Sequence, residues 1–156
     1  MTSIGETMKK FISRLKVLIL LSAVSSCHYP TPAFSADFGS KQATAIKNHD
    51  GDTLTVSIPD WPSIIGDNIT VRVLGVDTPE ILGKCADEKL KAGIAKEFTA
   101  NFVKDKKVIL KNIQRDKYFR ILADVYVGEH SLSSELLKQG LARPYFGDTK
   151  SSWCVN

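Results

Sequence analysis

Three short stretches of this chain place carboxylates beside cationic side chains. The first, "DGDT", offers Asp50 and Asp52. The second, "RVLGVDTPE", offers Arg72, Asp77 and Glu80, the two carboxylates set around a Thr-Pro corner. The third, "RDKYFR", offers Arg115, Asp116, Lys117 and Arg120. Carboxylates beside arginines suit metal-assisted cleavage of a phosphodiester. The carboxylates hold a hard cation through oxygen. The cation and guanidinium groups neutralise charge building on the phosphate, and a further carboxylate positions or deprotonates water. Arginine's planar fork also matches two phosphate oxygens at once. Taken singly, each stretch reads as a turn, a capped corner or a hairpin tip. The chemistry rests on all three occurring together.

The surrounding pattern predicts the elements that hold them. From Ala43 the chain turns β-rich: "ATAIKNH" and "TLTVSI" flank the Asp50-Gly51-Asp52 turn, and "ITVRVLGV" alternates as a half-buried strand. Residues 87–104 read as the principal helix, with Asp87 as N-cap and Leu90, Ile94, Phe98 and Phe102, with Ala95 alongside, as its apolar face. "KKVILKNI" and "RILADVYV" read as two more strands. A short helix capped by Ser131 or Ser133 ends at Gly140, and the last stretch, "RPYFGDTKSSWCVN", shows no regular period. The expected fold is mainly β with helices (α+β). It is a five-stranded Greek-key OB barrel with one main helix after strand 3 and a short C-terminal helix.

In this order and spacing, "DGDT", "R-x4-DTPE", "DKY-x-R-x-LA" and "GLA" resemble the staphylococcal-nuclease (thermonuclease-like) family. The likeness runs from about Ala43 to Pro144. It implies an OB-fold core and a Ca²⁺-dependent, sequence-nonspecific endonuclease acting on DNA and RNA, single- or double-stranded, leaving 5′-hydroxyl and 3′-phosphate ends. Carried over by position, Asp52, Asp77 and the Thr78 carbonyl would ligate Ca²⁺, and Glu80 would orient or activate water. Arg72 and Arg120 would grip the scissile phosphate. Lys117 and Tyr118 match positions that contact a terminal phosphate, and Tyr145 or Phe146 falls near an aromatic that packs on a base. Phe119 stands where the family usually has glycine, and a position needing positive φ would strain it. The loop of residues 81–86 is short, and the family's third helix is missing. The same barrel also occurs as catalytically silent nucleic-acid- or protein-binding modules. Those typically lose the acidic and arginine set that is present here.

Of the 156 residues, 43% are apolar and 24% charged, which describes one ordinary globular domain. The net charge of +4 sits largely in residues 1–27, where four basic residues face one acidic; the remainder holds 17 basic and 16 acidic. Bulk charge therefore says nothing for or against nucleic acid. The basic "MKKFISRLK" before the apolar "VLILLSAV" reads as an export signal, too short for a transmembrane helix. "VSSC" makes Cys27 a lipid acceptor, the membrane being reached only through that anchor; "AFSA" near Ala36 offers soluble release instead. The expected layout is a signal over 1–27 or 1–36, a linker over 28–42, the nuclease domain over 43–146 and a tail over 147–156, in a monomer. Localisation is periplasmic or outer-membrane lipoprotein, alternatively secreted. Cys85 and Cys154 remain as either a disulfide or two thiols, and a disulfide would stand in for the missing helix. His28, His49 and His130 converge on no motif.

Overall fold

The computed structural model describes residues 39–116 and 118–154. β1 (Lys41–Asn48) begins two residues before the expected domain start and turns at Asp50–Asp52 into β2 (Thr53–Ser57). A short helix, α1 (Ser63–Gly66), interrupts the Pro- and Gly-containing loop before β3 (Ile69–Val73). Then come β4 (Val76–Asp77), α2 (Ala86–Val103), β5 (Val108–Arg115), β6 (Ile121–Val127), β7 (His130–Ser131), α3 (Leu132–Lys138) and β8 (Arg143–Pro144).

Five strands close into a barrel. The sheet order is β3-β2-β1-β5-β6-β7, and a parallel β3–β6 pairing closes the first five strands, with Val71, Arg72 and Val73 opposite Ile121, Leu122 and Ala123. Closure leaves neither end strand unpaired. Bulges at residues 45–47 of β1 and 111–114 of β5 bend the sheet enough to close it. Inward positions on these strands, including Leu54, Val56, Val71, Leu110 and Val125, are fully buried and form the core. The expected OB barrel, with its main helix between the third and fourth barrel strands, is what forms.

Helix α2 differs from expectation in the face it buries. Its buried residues are Glu88, Ala92, Ala95, Thr99 and Val103, while Leu90 is 68% exposed and Ile94 49%. Phe98 and Phe102 pack against the core from a partly buried position. The helix lies close to backbone on its inner side, where only small side chains fit. The Thr99 hydroxyl donates to the Gly51 carbonyl at 2.6 Å, and Asn48 Nδ2 donates to the Lys96 carbonyl at 2.7 Å. Its N-cap is Cys85, not Asp87, and Asp87 and Glu88 lie in the first turn, where carboxylates favour the helix dipole.

The C-terminal stretch is ordered against the barrel. β8 pairs with β4, placing Asp77 opposite Arg143, and the Tyr145 amide donates to the Gly75 carbonyl at 3.0 Å. Cys85 and Cys154 form a disulfide with a Cα–Cα separation of 5.9 Å. Among the described residues, no helix is long and apolar enough to cross a membrane.

Candidate active site

The turn between β1 and β2, the end of β3 and strand β4 converge on one buried polar cluster. Asp52, Arg72, Asp77 and Thr78 are all buried. The register places Thr53 opposite Arg72, so the turn's second aspartate meets the arginine across the β2–β3 pair. Gly51 permits the approach of α2. A Cβ there would meet the Ala95 methyl at 2.7 Å and Thr78 Cγ2 at 2.8 Å.

Arg72 is the hub. Nη1 donates to Asp52 Oδ1, and Nη2 donates to Asp77 Oδ1 and to the Val76 carbonyl, both at 3.2 Å. Asp52 also accepts from the Thr53 hydroxyl at 3.0 Å and, through Oδ2, from the Thr78 amide at 2.8 Å. Burial pushes the Asp52 carboxyl up to about 7; Arg72 opposes the rise, Asp50 adds to it and the Thr78 amide opposes it. Asp77 Oδ2 accepts from the Trp153 indole at 3.2 Å.

Glu80 stands at the rim, its side chain 47% exposed. Lys150 reaches it from the C-terminal tail. Its Nζ lies 2.7 Å from Asp77 Oδ1 and 2.8 Å from Glu80 Oε1. Burial works against the lysine's charge, but hydrogen bonds and charge from Asp77 and Glu80 outweigh it and raise the pKa. These groups line a cleft of about 310 Å³ with Gly83, Ser152 and Trp153.

Arg72 also lines a second groove, of about 350 Å³, with Gly75, Asp116, Tyr118, Arg120 and Tyr145. Asp116 builds the far wall. Its Oδ1 accepts from the amides of Tyr118 and Arg120 at 2.8 and 2.9 Å, and its Oδ2 accepts from Arg120 Nε at 2.7 Å. Slight burial raises the Asp116 carboxyl, but the Arg120 and Tyr118 hydrogen bonds prevail and hold it below the ordinary value. Phe119 does adopt the left-handed conformation its position demands, at φ 64°. The tip stays closed around it: its amide donates to the Asp116 carbonyl at 3.0 Å and its carbonyl accepts from Arg115 at 2.6 Å. The guanidinium carbon of Arg120 lies 5.6 Å from the centre of the Tyr118 ring.

The structure thus gathers Asp52, Arg72, Asp77 and Thr78 in one cluster, sets Glu80 on the cleft that Asp77 lines, and places Arg120, Tyr118 and Tyr145 on the separate groove that Arg72 lines. Lys117 and Cys27 lie outside the described residues. His49 pairs with the Thr55 hydroxyl at 2.8 Å, away from these groups. Sequence reasoning missed Lys150, Trp153 and Arg143. The Arg143 guanidinium carbon sits 3.8 Å from the centre of the Trp153 ring, and Arg143 Nη1 donates to the Ser152 carbonyl at 2.7 Å. Only the even cysteine pair signalled that the tail would be held at all.

The donor set suits a hard divalent cation. Asp52, Asp77 and Glu80 offer oxygen only, and an ammonium already stands between two of them as a stand-in cation. A second gathering, Cys85, Glu88 and Cys154, is not comparable, because its sulfurs are bonded to each other.

The profile of the family described as "Staphylococcal nuclease homologue" matches residues 70–153. The chain belongs to that family. It is 30% identical to the thermonuclease of Staphylococcus hyicus over 147 residues, covering 89% of this chain and 83% of that protein. It is 33% identical to the probable endonuclease LCL3 of Phaeosphaeria nodorum over 112 residues, 68% of this chain but 37% of the relative. Endonuclease YncB of Bacillus subtilis is 39% identical over 97 residues, 60% of this chain and 43% of that protein.

Proposed function

We propose that this chain is a Ca²⁺-dependent, sequence-nonspecific endonuclease. It hydrolyses phosphodiester bonds of DNA and RNA to leave 5′-hydroxyl and 3′-phosphate ends. The observation that carries the reading is the Arg72 guanidinium, which bridges Asp52 and Asp77 and lines the same groove as Arg120. Relatives named as thermonuclease and endonuclease support it.

Asp52, Asp77 and the Thr78 carbonyl would hold the cation, which when bound supplies Lewis-acid polarisation of the phosphate and lowers the cost of deprotonating water. The chain's own residues do the rest. Arg72 is fixed by three acceptors before substrate arrives, so its charge needs no reorganisation as the phosphate gains negative charge. Arg120, braced by Asp116, presents a second guanidinium to the groove. Glu80, at the exposed rim, accepts the proton of the attacking water or aligns it. Tyr118 and Tyr145 offer aromatic faces that stack on any base, which suits cleavage without sequence preference.

The test is digestion of plasmid, single-stranded DNA and RNA with Ca²⁺ and then with a calcium chelator. Cleavage only with Ca²⁺ is expected, and the product ends should accept phosphate from a polynucleotide kinase without prior phosphatase treatment. Binding without cleavage would instead identify a silent binding module. The chain is further proposed to be exported, with Cys27 as lipid acceptor or release near Ala36; the Cys85–Cys154 disulfide supports an oxidising compartment. Fatty-acid labelling that is lost in Cys27→Ala would establish the anchor.

A further inference from the structure

The C-terminal tail brings a positive charge to the carboxylates, and its backbone is fixed on both sides of that charge. On one side β8 pairs with β4, and the Tyr145 amide bonds to the Gly75 carbonyl. On the other, Cys154 is bonded to Cys85, Trp153 is buried with its indole on Asp77 Oδ2, and Arg143 covers its ring. Lys150 lies between these anchors. Its ammonium is within hydrogen-bond distance of one oxygen of Asp77 and one of Glu80. Asp77 therefore has Oδ1 shared between Arg72 and Lys150 and Oδ2 taken by Trp153. Three donors thus compete with a divalent cation for this carboxylate, two of them on Oδ1. Of the three, Arg72 and Trp153 are buried, whereas the Lys150 side chain is 42% exposed and has a path to solvent.

We propose that Lys150 is the resident cation of this site: in the cation-free protein it neutralises Asp77 and Glu80, and it must swing out for a divalent cation to bind. The inference rests on the calcium reading above and adds what sets the affinity. The Asp77–Lys150 contact couples metal uptake to the tail, so the protein exchanges one held charge for another. The site then stays close to charge balance in both states, which spares Asp77 and Glu80 an uncompensated approach. The competition also lowers apparent calcium affinity, because the ammonium's attraction to Asp77 and Glu80 must be given up before the ion can take their oxygens.

Two measurements test this on the full, oxidised chain with calcium chloride as the probe. In calorimetric titration, Lys150→Gln should bind calcium about tenfold or more tightly than wild type. Equal or weaker binding would overturn the inference. In amine labelling read by mass spectrometry, wild-type Lys150 should become more reactive on adding calcium, as the ammonium leaves its carboxylates. Unchanged or reduced labelling would also overturn it. If wild type and variant bind calcium equally, the calcium reading stands and this inference alone falls. If neither binds calcium, both fall.

Discussion

Asp52 and Phe119 show how single residues here carry costs that only their neighbours explain. Asp52 is buried, and its carboxyl is pushed up to about 7, well above the ordinary 3.8. A folded-state pKa above the unfolded one means that the native protein retains a proton the unfolded chain has lost. The cation-free protein should therefore lose stability as pH rises from about 4 to 7, with no further change from this group above that. If Asp52 ligates calcium as proposed, the ion must displace the same proton. Apparent calcium affinity should fall by up to about tenfold per pH unit below 7 and level off above it, which titrations at three pH values would reveal. Phe119 poses a different cost. At φ 64° a side chain crowds its own backbone, and the residue is 80% exposed, so no packing compensates. Phe119→Gly should raise stability by about 0.5–1 kcal/mol in denaturant unfolding, the relief of strain exceeding the added freedom of the unfolded chain. The departure, phenylalanine at 119 where glycine is usual, was legible in the sequence. That the hairpin tip absorbs the strain and still directs Arg120 into the groove was not, because the closure depends on Asp116 accepting three donors at once.

Elements position the site through small residues more than through large ones. The hydrophobic spacing of Leu90, Ile94, Phe98 and Phe102 identified α2 as a helix; Ala95, Phe98 and Phe102 do face the core, but Leu90 and Ile94 do not. The reason is distance. Ala95 and Thr99 approach the backbone of the Asp50–Asp52 turn too closely for leucine or isoleucine, and a periodicity count weights those large residues most. The turn and helix are thus mutually fitted. Gly51→Ala would drive a methyl into Ala95 and Thr78, costing about 1–3 kcal/mol in unfolding experiments. Its effect on calcium affinity should be larger than that of a substitution of equal cost elsewhere in the core, since the displaced residues flank Asp52 and carry Thr78. By contrast the barrel strands were legible to within two or three residues, although the run read from Ile69 to Val76 breaks after Val73 and resumes as β4. Their alternation reports the inside and outside of a closed sheet, and the turn residues between them fix where each begins.

At the scale of the whole molecule, one disulfide ties the tail to the segment before α2 and so to the corner carrying Asp77 and Glu80. It spans 69 residues, which corresponds to about 4 kcal/mol in the chain-entropy account. Reduction should lower the unfolding midpoint of wild type markedly and leave Cys85→Ala/Cys154→Ala unmoved. The tail's course was illegible in the sequence because nothing periodic marks it: Lys150 and Trp153 act through contacts with residues 70 and 76 positions away, and Arg143 holds Ser152 and Trp153 in place. The three charged segments were legible because each keeps its spacing within a single turn. Their convergence on Arg72 is the central claim, and the most direct measurement is the cleavage rate of Arg72→Lys at saturating calcium. The variant must be shown folded by circular dichroism, since Arg72 is also a buried ion-pair hub. Lysine keeps the charge but cannot hold Asp52, Asp77 and a phosphate together, and the rate should fall by about 10²–10³. A folded Arg72→Lys protein that cleaves at the wild-type rate would contradict the account.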